Sequence, residues 1–334
     1  MHLLELARRL VEIESTTGRE AEVAFFLAAH LRQMGARVEV EEVAAGRPNV
    51  FASFTRAGES PVVTLSTHLD TVPPYIPCSE DDDYIYGRGS CDAKGIIAAQ
   101  VKAAEQLRAG GENRFALLFV VGEEKDSAGA AFANRRPRGS RFLINGEPTG
   151  NCLARASKGA LRPVFEAQGR MAHSACPELG ESAIEKLLTA LVNLRAIPLP
   201  ADELLGKCTY NIGTIEGGRA PNVVPDRARA ELLFRLVGPS DELKQAIARA
   251  AEGLADVRYV LEIPAMRFET LDGFPSAVVS FTTDIPALGN WGRPYLIGPG
   301  SILDAHTDHE RVAKRELVEA VEAYSRLAAK LMEG

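Results

Sequence analysis

The sequence predicts an α/β protein, a three-layer α/β/α domain interrupted by a smaller inserted α+β domain. Three observations predict it. Helical and strand periodicities alternate over the first 150 or so residues, the signature of strands covered by helices. Near residue 155 the order becomes strand–helix–strand–strand–helix–strand. From residue 266 the first pattern returns and ends in a helix. A chain of 334 residues usually outgrows one core. The expected boundaries are 1–157 and 266–334 for the divided first domain and 158–265 for the insert.

Apolar positions at helical spacing fill residues 3–13; Thr16-Thr17-Gly18 punctuates, and a second helix is expected over 20–34. Residues 37–43 alternate as a strand, and 49–54 and 62–66 are short apolar strands. A long helix follows over 93–109. Residues 116–121 form an unbroken apolar run, as a strand buried on both faces requires. In the insert, strands are expected over 159–169, 210–215, 228–236 and 258–263, with helices over 182–195 and 241–254. The last helix spans 314–332.

Composition narrows the function. The chain is 46% hydrophobic and 25% charged, which excludes a disordered or fibrous protein. With 38 Lys+Arg against 45 Asp+Glu the net charge is −7, which argues against nucleic acid or an anionic membrane as main partner. Cys78, Cys91, Cys152, Cys176 and Cys208 are odd in number and form no CxxC pair, so reduced thiols in a cytoplasmic protein are expected. The charged N-terminal helix lacks the apolar stretch of a secretory signal, and the longest apolar run, 115–121, is too short to span a bilayer.

The chemistry-bearing residues stand just after strands or in turns. His68-Leu69-Asp70 follows an apolar strand, and residues i and i+2 of a strand share a side, so the Asp70 carboxylate is expected to reach the His68 ring. Alone, the pair reads more simply as a strand-end histidine beside an incidental acid. Asp92 lies in the glycine-rich turn Gly87–Gly95 that opens a helix. Glu123-Glu124 follows the apolar run, where adjacent carboxylates repel unless a cation neutralises them; bare, such a pair is usually a solvated loop. Glu147 and His306 sit in comparable turns. Two histidines and three carboxylates suit two zinc-type divalent ions with one bridging carboxylate, and the spare glutamate suits a general base.

In this order the motifs are H-x-D (His68–Asp70), G-R-G-x-x-D-x-K-G (Gly87–Gly95), E-E (Glu123-Glu124), E-P-T (Glu147–Thr149) and A-H-x-x-x-E (Ala305–Glu310). Over essentially its whole length the chain resembles the acetylornithine deacetylase / succinyl-diaminopimelate desuccinylase family of co-catalytic zinc amidohydrolases and peptidases. That resemblance implies an α/β/α zinc-peptidase catalytic domain with an inserted ferredoxin-like dimerisation or lid domain, and two divalent ions: zinc, with cobalt or manganese as alternatives. It implies that Asp92 bridges the metals, His68 and Glu147 complete one site, and Glu124 and His306 complete the other. Glu123 would be the general base and Asp70 would orient His68. His309 is an alternative ligand; His306 is preferred because it follows Ala305. In the insert, His173 of Gly169–Ala175 would stabilise the oxyanion in the partner subunit of a homodimer, and Asn222 would contact substrate. Arg235, an arginine in an apolar strand, suits a substrate carboxylate or an internal acid.

The expected reaction is hydrolysis of the amide of an N-acylated amino acid. Residues 281–286 and 298–302 look most like the branch that deacetylates ornithine or lysine, with Asp284 facing a basic group of the substrate. The alternatives are a desuccinylase, or a dipeptidase or carboxypeptidase on the same machinery. From other classes come a metal-binding scaffold without catalysis and, on the Gly87–Gly95 turn and Lys94 alone, a phosphate binder.

Overall fold

A computed structural model describes residues 1–333. Contacts divide the chain into two compact units: residues 1–155, 268–277 and 283–334, and residues 156–267 with 278–282. The expected break left everything after 265 in the first domain. The structure instead returns 278–282 to the second unit, where Lys158 N–H donates to the Val279 carbonyl (3.2 Å) and Val278 packs on the core.

In chain order the first unit contains α1 (Leu3–Glu12), α2 (Ala21–Gln33), β1 (Arg37–Ala44), β2 (Arg47–Ser53), β3 (Val63–His68), α3 (Lys94–Ala109), β4 (Phe115–Val120), α4 (Ala128–Asn134) and β5 (Phe142–Asn145). The second contains β6 (Gly159–Gln168), α5 (Ala183–Arg195), β7 (Thr209–Gly217), β8 (Arg227–Leu236), α6 (Asp241–Ala251) and β9 (Asp256–Ile263). The chain re-enters the first unit for β10 (Arg293–Leu296) and α7 (Lys314–Glu333).

The first unit is a six-stranded sheet in the order β1-β2-β4-β3-β5-β10. β4, β3, β5 and β10 run parallel, and β2 is antiparallel to both its neighbours. Alternation along β4 sorts its side chains. Phe115, Leu117 and Phe119 enter a core with Leu6, Leu10, Leu27, Ile97 and Leu327; Ala116, Leu118 and Val120 enter a smaller one with Ala130, Leu288 and Trp291. Every side chain of β4 is buried, which explains the unbroken apolar run. The long α7 buries Leu317, Ala320, Val321, Tyr324, Leu327, Ala328, Leu331 and Met332, one stripe at three- to four-residue spacing along the helix. No described helix is long and apolar enough to cross a membrane.

The second unit is a four-stranded antiparallel sheet in the order β7-β8-β6-β9, the β-α-β-β-α-β arrangement of a ferredoxin-like domain. Ser182 caps α5 by accepting from Glu185 N–H (3.2 Å). Leu232, Phe234 and Leu236 of β8 pack on Leu187, Leu191 and Ile247 of the two helices. The alternate residues of the strand lie on the sheet's other face.

Phe119 is fully buried in the larger core. Phe119→Ala should lower the stability of the first unit by about 3–5 kcal/mol, read as a lower urea midpoint.

Candidate metal centre

Three parallel strand ends build the site. The chain leaves β3 through α3 to β4 on one side, then leaves β4 through α4 to β5 on the other side of β3. α3 packs in the larger core and α4 in the smaller, on opposite faces of the sheet. Strand order therefore reverses at β3, and a crevice opens at the carboxyl ends, where ligands bind in sheets of this kind. Register places the functional residues at that edge. His68 pairs with Val120 and Ser66 with Asn145, so His68, Glu123-Glu124 and Glu147 all emerge there.

Asp92 is the centre of the arrangement. His68 Nε2 lies 2.9 Å from Asp92 Oδ1, and His306 Nε2 lies 3.4 Å from Oδ2 and 2.9 Å from Glu124 Oε1. Ligating atoms of His68, Asp92 and Glu124 fall within 4.8 Å of one another. Ligands on a tetrahedral zinc stand roughly 2 Å from it and so about 3.3 Å from each other, which these separations approach. His306 takes a left-handed backbone (φ 63°), while the side chain of His309 has no comparable contact among the described residues. The Asp92–Ala93 peptide is cis.

The electrostatics ask for a cation. Burial pushes the Glu123 and Glu147 carboxyls well above the ordinary range, with only His68 countering, and raises Glu124 less because His306 opposes it. Burial also opposes ionisation of Asp92, yet hydrogen bonds to His306 and His68 hold that carboxyl below its usual value. Burial works against a charge on His68, but its bond to Asp92 pushes its pKa well above normal; Asp92 and Glu124 lift His306 to about 10. Glu147 Oε1 is buried with no hydrogen-bond partner. Two imidazoles and several carboxylates, one with an orphaned oxygen, are a donor set that fits divalent ions of the zinc type.

Two sequence expectations change here. The Asp70 carboxylate does not take the His68 ring: Oδ1 is 3.7 Å from Nδ1, which instead lies 2.9 Å from the Asp70 main-chain oxygen. β3 ends at His68, so strand alternation no longer governs residue 70. Its carboxylate is consumed by N–H donors of Gly122 (2.8 Å), Glu123 (3.1 Å) and Glu124 (3.3 Å) and by the Thr17 hydroxyl (2.8 Å). Asp70 thus holds the turn that carries both glutamates, and Gly122 supplies its left-handed corner (φ 83°). The phosphate reading loses its cation, because the buried Lys94 ammonium donates to the Ile13 carbonyl (2.5 Å).

Asp284 is 1% exposed and sits among the same charges: burial lifts its pKa to about 7, with Ser127, His68 and Asp70 as lesser influences. It belongs to the carboxylate cluster rather than to an open surface awaiting a basic substrate. Asn49, whose amide donates to Gly129 O (2.8 Å) and accepts from Val121 N–H (3.1 Å), braces the Glu123 turn and was missed. A lone polar residue opening an apolar strand was its signal.

In the second unit His173 and Asn222 lie on adjacent antiparallel segments, His173 bridging Val223 and Ser174 N–H donating to Asn222 O (3.0 Å). His173 Nδ1 accepts from Ala175 N–H (3.1 Å), which leaves Nε2 as the protonated, donating nitrogen of an exposed ring. Arg235 lies on the sheet face opposite the helices, half-buried, with burial lowering its pKa and no ion-pair partner among the described residues.

This fold and this donor set are those of a metallohydrolase. The sequence model of peptidase family M20/M25/M40 matches residues 64–330, and the chain belongs to that family. It is 40% identical over 99% of its length to a probable carboxypeptidase of Aspergillus clavatus, covering 83% of that protein. It is 39% identical over 98% of its length to a peptidase M20 domain-containing protein of Schizosaccharomyces pombe, covering 84% of it. Among solved structures, a Staphylococcus aureus tripeptidase superposes with a TM-score of 0.81 at 23% identity, over 98% of both chains. A Bacillus subtilis dinuclear metal binding peptidase of family M20 gives 0.73 at 16% identity, over 99% of this chain and 98% of that one. These relatives carry carboxypeptidase and peptidase names, not acetylornithine deacetylase.

The displaced protonations give a sign to the pH dependence. Asp284, with a pKa near 7, and His306, near 10, keep protons in the folded chain that the unfolded chain has already released. Their contribution is complete below the unfolded pKa and is lost as pH rises through the folded one. In chelator, the melting temperature should therefore fall between about pH 5 and pH 9. Added manganese should restore it, most at the alkaline end. A melting temperature that climbs with pH in chelator would contradict the assignment.

Proposed function

We propose that the chain hydrolyses the amide bond of a short peptide bearing a free carboxylate, as a carboxypeptidase or dipeptidase, using two divalent ions. The observation that carries the reading is Asp92, whose two oxygens face the nitrogens of two different histidines. His68 and Glu147 would hold one ion, His306 and Glu124 the other, with Asp92 between them. Ions bound there supply Lewis-acid polarisation and acidify water. Zinc fits the donors best; cobalt and manganese are accepted by the same set.

Glu123, beside the ligands but free of the histidines, takes the proton of the attacking water and returns it to the leaving nitrogen. The exposed Nε2–H of His173 is the donor for the developing oxyanion, offered by the second subunit of a homodimer, and Asn222 on the adjoining segment binds substrate. Arg235, half-buried without an internal acid, pairs with the substrate carboxylate in a bidentate fork. Names of the relatives favour a peptide. A second reading, deacylation of N-acetyl-ornithine or N-acetyl-lysine, is favoured by the likeness of residues 281–286 and 298–302 to that branch.

A panel of dipeptides, tripeptides, N-acetyl and N-succinyl amino acids, assayed with zinc, cobalt or chelator, tests the reading. Chelator-sensitive release of a C-terminal residue is expected; turnover of acetyl-ornithine alone selects the second reading, and bound metal without turnover refutes both. Glu123→Gln should keep its metal content while turnover falls roughly a hundred- to ten-thousand-fold. Arg235→Met should raise KM about 10–100-fold for peptides with a free carboxylate and leave C-terminal amides unchanged.

A further inference from the structure

Glu310 takes no part in the chemistry above, yet it is 1% exposed and lies four residues beyond His306. Its place is fixed by a short ladder. Arg311–Ala313 pairs antiparallel with Tyr84–Tyr86, and Gly87 N–H donates to the Glu310 carbonyl (3.0 Å). The side chain is thereby delivered into the turn that presents Asp92. There Oε1 accepts N–H donors from Gly89 (2.9 Å), Cys91 (3.2 Å) and Asp92 (3.1 Å), while Oε2 takes the Arg88 guanidinium (2.6 Å). Arg88, 2% exposed, is anchored in turn by the Pro74 carbonyl (3.1 Å).

One carboxylate thus collects three amides of the Asp92 turn, and it grows from the segment that carries His306. We propose that Glu310 is the positioning residue of the bridging ligand. It fixes the main chain at Asp92 so that the two carboxylate oxygens stay divided between the His68 and His306 sides. The divided geometry requires the plane of the Asp92 carboxylate to be held, and the side chain has only two torsions beyond the main chain that Glu310 grips. The inference rests on the metal reading of the site.

Glu310→Gln tests it, because the amide is nearly isosteric. Its oxygen can keep the three N–H donors, but its NH2 then confronts the Arg88 guanidinium, donor against donor. Zinc binding to metal-free protein is measured by calorimetry well below the melting temperature of each variant. The expected result is two ions bound by the wild type and a loss of about 10–100-fold in affinity in Glu310→Gln. Adding Arg88→Gln, which removes the donor conflict, should recover part of that loss. Wild-type zinc affinity in folded Glu310→Gln, whatever its melting temperature, overturns the proposal. If the single variant does not fold, the double variant carries the test: unaltered two-ion binding without either charge also overturns it, and weakened binding supports it. A wild type that takes up no metal overturns instead the metal reading beneath it.

Discussion

Carboxylates gathered at the edge of a sheet repel one another, and the fold spends much of its polar detail holding them together. Glu123, Glu124, Glu147, Asp92 and Asp284 converge where β3, β4 and β5 end, with His68 and His306 as the facing cations. Hydrophobic burial cannot do this; it places the strands but leaves the ends free. Main-chain N–H groups do it. They turn toward Asp70 in one loop and toward Glu310 in another, and each buried acid converts a flexible turn into a fixed support.

The two buried acids share a logic. Each sits in a segment that also bears a histidine, His68 for Asp70 and His306 for Glu310, and each reaches across to grip the turn bearing a different carboxylate. The ligand-bearing loops are therefore interlocked rather than merely adjacent. The apolar layers matter at one remove: Phe115, Leu117 and Phe119 fix β4 against the helices, and Asn49 ties the end of β4 to α4.

Much of this was legible. Helix and strand periods marked most elements of both units, because one face of each is buried and the pattern of burial is written in the residues. α4 escaped, since Ala128–Asn134 is short and its alanines and glycine carry no amphipathic signature. The ligating residues were legible as types placed after strands, which parallel topology brings to one edge. Asp70 and Glu310 were visible as residues but not in their roles, because their partners are main-chain amides that no sequence pattern displays. The Asp70–His68 expectation met a different geometry for a related reason: the chain turns after His68, so the ring nitrogen bonds the Asp70 main-chain oxygen while the carboxylate stays 3.7 Å away. Asp284 was read as a substrate contact because nothing local reveals that it is buried close enough to Glu123 and Glu147 to raise their pKa values.

The distribution of the donors along the chain has a consequence for synthesis. A nascent polypeptide that has emerged through Glu147 already contains His68, Asp92, both members of the glutamate pair and Asp70, but neither His306 nor Glu310. Until the segment before α7 leaves the ribosome, the Asp92 turn has no acid to organise it and the acidic cluster lacks its second imidazole. Completion of the centre therefore waits on the segment that carries His306 and Glu310, far along the chain from the residues it joins.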